Sequence, residues 1–282
     1  MTPPIPPART PLILMVAPNG ARRTKADHPA LPMTPAELAR TAAECRDAGA
    51  SLLHLHVRDS RGRHILDADA YRDALAAVRD AVGESMILQI TTEAVGLYDR
   101  HAQMAVTRSV RPEAVSLAVR ELIPDVAAEP EAGAFLEELH RAGTLVQYIT
   151  YGPDEVLRLV DLSRRGVVPE PAPSVLFVLG RYGGGADGRP SDLCPFLTAW
   201  TDGGGDWAVC AFGAEEAACA GAAIAMGGHA RVGFENNLRL PDGTPAAGNA
   251  DLVSVVAGAA RAIGRPPADA DTARRILAHH SR

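Results

Sequence analysis

Aromatic residues make up only 4% of this 282-residue chain, and its four cysteines, Cys45, Cys194, Cys210 and Cys219, form no C-x-x-C pair and no regular spacing. That scarcity excludes a disulfide-stapled scaffold and a thiolate zinc framework, and leaves ordinary reduced thiols. An excess of positive charge is missing too. The 28 Lys and Arg stand against 34 Asp and Glu, a formal net charge of -6, which excludes the basic face that nucleic-acid binding needs. No apolar run approaches the roughly 20 residues of a membrane span. The early run Leu12-Ile-Leu-Met-Val-Ala17 lacks a cleavage sequence and reads as a first strand rather than a targeting segment, so a cytoplasmic protein is expected. No G-x-G-x-x-G follows that strand, which removes the usual dinucleotide fingerprint.

What is present is an alternation. Apolar β-type runs fall at 12–18, 51–58, 86–92, 114–119, 145–151, 174–180, 207–213 and 229–236. Between them lie segments of helical period at 35–48, 68–82, 131–142, 153–164 and 215–226, with two more at 249–263 and 268–279. Thr34-Pro35-Ala36-Glu37 gives the first of these connections a cap, a first-turn proline and a reciprocal acid, and Gly49 supplies its stop; Gly143, Gly166 and Gly264 read as similar stops. Strand followed by helix, eight times over, predicts a (β/α)8 TIM barrel with an extra C-terminal helix, as a single domain over 1–282. A doubly wound open sheet is the competing architecture. The glycine cluster at 183–188 lacks the Lys-Ser/Thr of a phosphate loop and reads as a loop over the barrel mouth.

In such a barrel the chemistry gathers where the strands end. His54 and His56 are two residues apart near the end of the second strand, so they share a face, with Leu53, Leu55 and Val57 on the other. The eighth strand reads Arg231-Val-Gly-Phe-Glu-Asn-Asn237, and in a closed barrel it and the second strand both flank the first. Glu235 therefore converges on the two histidines. Two imidazoles and one carboxylate with an open position form a catalytic site for zinc or another divalent metal. The competing reading is a polar barrel top in which the histidines only hydrogen-bond. His64 and His229 lie off the strand end and are poor ligand candidates, and His279 and His280 read as a solvated tail. Other strand ends contribute Arg22, Thr91, Thr92, Glu93, Ser116 and Gln147. The fork of Arg22 suits a substrate carboxylate, unless Asp27 pairs with it.

These motifs resemble the β-keto acid cleavage enzyme family, which includes the 3-keto-5-aminohexanoate cleavage enzymes. The resemblance runs almost end to end and is carried by Ala17-Pro-Asn-Gly-Ala21 with the stretch 28–35, by 49–59 around the histidine pair, by Gln89-Ile-Thr-Thr92 and by 227–237. It implies a metal-binding barrel with His54, His56 and Glu235 as ligands. It also implies a reaction: the metal chelates the keto and carboxylate oxygens of a 3-oxo acid, the enolate attacks the co-substrate acetyl-CoA, and a retro-Claisen step releases acetoacetate and a new acyl-CoA. A homo-oligomer, often a tetramer, is implied as well.

Four positions depart from the family pattern. Asn236 stands where an Asp works with the arginine matched by Arg231 in proton abstraction, and an amide cannot accept that proton near neutral pH. Gln147 replaces a supporting Glu, Thr91 a substrate-contacting Ser, and Arg22 an acid suited to an amino substrate. The expected substrate is therefore neutral or anionic, and Glu93 is the candidate replacement base, with a plain ion pair to Arg22 or Arg58 as its alternative. Arg231, Asn236 and Glu93 make up the expected catalytic group; Arg22, Thr91, Thr92, Ser116 and Gln147 make up the expected substrate contacts. Two other readings stand beside this one: a metal-dependent lyase or aldolase working without CoA, and a metal-containing binding protein that has lost catalysis.

Overall fold

Eight parallel strands close on themselves in the computed structural model, which describes residues 10–170, 172–181 and 187–279. They are β1 (Leu14–Val16), β2 (Leu52–Leu55), β3 (Ile87–Thr91), β4 (Ala114–Ala118), β5 (Leu145–Thr150), β6 (Ser174–Leu179), β7 (Trp207–Ala211) and β8 (His229–Val232). Each pairs with its neighbours in sequence, and the ring closes because Met15 of β1 is in register with both Leu52 of β2 and Arg231 of β8. Closure decides against the open sheet and gives β1 the two neighbours that the convergence of Glu235 on the histidines requires.

The helices are α1 (Pro35–Ala48), α2 (Ala68–Val82), α3 (Arg100–Val110), α4 (Val119–Leu122), α5 (Glu129–Ala142), α6 (Pro153–Arg164), α7 (Leu193–Ala199), α8 (Glu216–Ala225), α9 (Asn249–Ala262) and α10 (Ala270–His279). The predicted start of α1 is realised in full: Thr34 accepts from the Glu37 N–H, Glu37 reaches back to the Thr34 N–H, and Gly49 ends the helix at φ 118°. Three helices, α3, the short α4 and α7, escaped the periodicity. The buried face of α3 carries Gln103 and Thr107 beside Met104 and Val106, so its apolar signal is diluted.

Strand alternation separates two cores. One strand face, including Leu14, Val16, Leu53, Leu55, Ile90 and Val115, packs outward against the helices. The other fills the barrel, where Ile13, Met15, Leu52, Ile87 and Ala208 meet Ala273 and Leu277 of α10, so the extra C-terminal helix closes the lower end. Each buried large aliphatic side chain contributes about 1.5–3 kcal/mol relative to exposure. Among the described residues no helix is long and apolar enough to cross a membrane. Most of the glycine cluster at 183–188, and His280, lie outside the described residues.

Candidate metal centre

The first ligand sits on the sheet and the second just past it. β2 ends at Leu55, after which the chain turns away and residues Val57–Arg58 pair with His64–Ile65 in a short hairpin, so the strand is shorter than its apolar run. His56 is held instead by Asn19 from the loop after β1, whose amide donates to the His56 carbonyl at 2.9 Å and accepts from its N–H at 3.3 Å. β8 likewise stops at Val232, short of the predicted 236, and Glu235 lies on a turn. Gly233 begins that turn at φ 140°, where a Cβ would collide with the Ala17 carbonyl oxygen. The Glu235 N–H then donates to that same oxygen at 3.0 Å. Glu235 thus reaches the histidines because the chain folds back onto β1, and strand parity, the expected reason, is not the cause.

Glu216 of α8 holds this turn from behind. Its buried carboxyl accepts from the Gly233 N–H at 3.0 Å and from the Asn237 side chain at 3.3 Å, and burial pushes it up to about 8.

His54 Nε2 lies 3.2 Å from His56 Nε2 and 3.6 Å from Glu235 Oε2, and His56 Nε2 lies 3.2 Å from that oxygen. Ligands about 2.1 Å from a tetrahedral ion stand about 3.4 Å apart, so the trio fits a divalent metal. Protonation fits as well. Burial, with Arg231 adding to it, pushes His54 down to about 3, and burial pushes His56 down to about 4 against the pull of Glu235. Both rings are therefore neutral at pH 7, with lone pairs to give. Gln89 Oε1 accepts a hydrogen bond from His54 Nδ1–H at 2.8 Å, which leaves Nε2 free to ligate. Burial alone would raise the Glu235 carboxyl, but Arg231, donating to Oε1 at 2.9 Å, and His56 outweigh it and hold Glu235 below the usual carboxylate range.

The trio opens into a cavity of about 360 Å³ at the strand ends, lined also by Arg22, Thr91, Glu93, Arg120, Tyr151, Phe212 and Arg231. Glu93 Oε2 lies 3.8 Å from His56 Nδ1. Burial and then the Glu235 charge push its carboxyl up to about 7, with Arg22 opposing them. A carboxyl poised there can accept or return a proton at neutral pH.

Four expected contacts are placed elsewhere. Thr92 is on the opposite strand face from Thr91, and its hydroxyl donates to the Ser116 carbonyl. Ser116 and Gln147 point into the barrel below the cavity; Gln147 accepts from Gln89 at 3.5 Å, and so stands behind the residue that orients His54. Asn236 is fully buried outside the cavity lining, and among the described residues neither side-chain amide atom has a hydrogen-bond partner.

Three features went unread in the sequence. Gln89 shares a strand face with Thr91, the same two-residue signal that exposed the histidine pair. His64, set aside as a loop residue, is buried 5.1 Å from the His56 ring and meets the Glu93 carbonyl at 2.9 Å. With Tyr71 Oη on the Thr91 carbonyl and Gln103 on that of Thr92, three successive carbonyls at the end of β3 are fixed by side chains. Distant donors of this kind leave no local pattern.

Comparison with known proteins extends the geometry. A 3-keto-5-aminohexanoate cleavage enzyme from Acetoanaerobium sticklandii is 32% identical over 273 residues, covering 94% of this chain and 97% of that protein. A 3-oxoadipate:acetyl-CoA acetyltransferase from Cupriavidus necator is 28% identical, covering 95% of this chain and 94% of that one. Among solved structures, the binary complex of ObcA with oxaloacetate superposes with a TM-score of 0.73 at 18% identity, covering 89% of this chain and 67% of that one, a likeness of fold. The beta-keto acid cleavage enzyme model matches residues 11–278, nearly the whole barrel, including His54, His56 and Glu235, and the chain belongs to that family.

Proposed function

We propose that the protein cleaves a neutral or anionic 3-oxo acid with acetyl-CoA, giving acetoacetate and a new acyl-CoA. The observation that carries this reading is the buried set of His54, His56 and Glu235 opening into a cavity that also holds Glu93 and Arg22. Family membership and relatives that act with acetyl-CoA support it. The three ligands would hold zinc or a similar divalent ion, which when bound supplies Lewis acidity toward the keto and carboxylate oxygens of the acid.

The chain's own residues then divide the remaining work. Arg231 fixes the Glu235 carboxylate through one oxygen and leaves the other facing the histidines. Glu93 takes the C2 proton, since Asn236 is an amide and lies outside the cavity. Thr91 Oγ1 accepts from the Glu93 N–H at 3.0 Å and sets the start of that loop. Arg22 places positive charge where an amino substrate would be repelled and a carboxylate held. The same reading includes a cytoplasmic homo-oligomer, a tetramer by the family resemblance.

A panel of 3-oxo acids offered with acetyl-CoA to the zinc-loaded protein, reading acetoacetate and the new thioester together, tests it. Both products should appear in equal amounts, and Arg22→Glu should move selectivity from anionic toward amino acids by about tenfold or more. Acid consumption without thioester would instead support the CoA-independent lyase. No consumption across the panel would support the binding protein.

A further inference from the structure

The wall of the cavity opposite the metal ligands carries a guanidinium held in a fixed plane. Arg120 follows β4 and Tyr151 follows β5. In the closed ring these strands lie across from β8 and β1, where Glu235 and the seam with β2 are. The Arg120 guanidinium carbon sits 3.6 Å above the centre of the Tyr151 ring. Among the described residues the carboxylate that pairs with it is Glu155, at 3.7 Å, beyond hydrogen-bond reach. Glu155 is itself tethered, its other oxygen accepting from the Tyr151 N–H at 3.0 Å. Stacking takes up the face of the guanidinium and leaves its N–H edge at the cavity, half exposed.

The geometry points to Arg120, stacked on Tyr151, as an anion-binding and specificity-determining residue that takes the carboxylate or phosphate oxygens of a ligand whose reacting end lies at the metal. This rests on the proposed reading that the head of the acid binds at His54, His56 and Glu235. A planar fork matches two oxygens of one anion, which a lysine at this position would not do. The chemistry has two sources here: the distal carboxylate of a dicarboxylic 3-oxo acid, or the phosphates of acetyl-CoA.

Calorimetry on the full-length zinc-loaded protein separates them. The acid arm compares 3-oxoadipate with 3-oxohexanoate, without acetyl-CoA so that binding is read apart from turnover. The thioester arm compares CoA with pantetheine. Wild-type protein should prefer the member with the added anionic group, 3-oxoadipate or CoA, in one pair by about tenfold or more, and Arg120→Ala should lower that preference by about fivefold or more while leaving 3-oxohexanoate or pantetheine within twofold. The affected pair names the source. Tyr151→Leu should lower the preference, Tyr151→Phe should keep it, and Arg120→Lys should lose most of it. Zinc content should stay equal in all four variants, which shows that the site beneath is intact. Wild-type protein that prefers neither 3-oxoadipate over 3-oxohexanoate nor CoA over pantetheine overturns the assignment, whatever the turnover panel shows, and so does an Arg120→Ala variant that keeps the full preference.

Discussion

Between Leu52 and His54, two residues along β2, the inside of the barrel changes from hydrocarbon to imidazole. The same change occurs on β3 between Ile87 and Gln89, both buried, and on into Thr91. Below this level the interior is a small apolar core sealed by Ala273 and Leu277 of α10; above it, His54, His56, Thr91, Glu93, Arg231 and Glu235 can donate, accept or titrate, beside an apolar wall of Ile149, Val178 and Phe212. The lower end is held by contacts that care about volume and little about direction. The upper end is held by directed bonds: Gln89 to His54, Asn19 to His56, Arg231 to Glu235 and Glu216 to the turn at Gly233. One set of strands therefore separates stability from chemistry by height, and mutations at the two ends should fail in different ways.

The largest effect belongs to the upper end. Glu235→Gln removes the carboxylate while keeping its shape, and turnover should fall by roughly a thousandfold or more with loss of bound metal. Metal analysis after dialysis, alongside the product assay, checks it; retention of metal and activity would remove Glu235 from the site. Next comes the lower end. Leu52→Ala should cost about 2–5 kcal/mol in denaturant unfolding while the folded protein still binds its metal. Loss of metal at denaturant-free equilibrium would show that the two ends are coupled after all.

The smallest effect sharpens the comparison through pH. His54 and His56 are held at about 3 and about 4 against an ordinary 6.5, so the folded protein refuses protons that the unfolded chain accepts. Their contribution is complete above pH 6.5 and is lost as pH falls toward those values. From pH 6.5 to 5.5, metal-free protein should lose about 1 kcal/mol per histidine. Urea titrations at the two pH values measure this. Leu52→Ala should keep the slope, and His54→Ala should reduce the loss by about 1 kcal/mol relative to wild type, since Glu93 and Glu216, held at about 7 and about 8, contribute with the opposite sign in both proteins. An unchanged slope in His54→Ala would mean that its ring is not neutral.

The barrel was legible in the sequence because alternation of strand and helix survives without any residue-level detail. The histidine pair was legible because ligands on one strand face carry a two-residue spacing. Glu235 was found, although by extending β8 through residues that in fact turn at Gly233. Thr92, Ser116, Gln147 and Asn236 were misplaced for a related reason: near a strand end, one residue of parity or one layer of depth decides between lining the cavity and lying beneath it. Arg120 and Tyr151 were out of reach, since their stacking joins the ends of different strands and neither residue type is unusual by itself. The carbonyls fixed by Tyr71, Gln103 and His64 escaped in the same way.

The position of β1 between β2 and β8 has a consequence for how the protein comes together. Residues 54 and 56 leave the ribosome early and residue 235 late, yet their atoms meet across the one joint where the ring of strands shuts. An ion held there would clasp two segments about 180 residues apart in the chain. It cannot be gripped by a half-made barrel, so metal uptake during refolding would time the moment the barrel shuts.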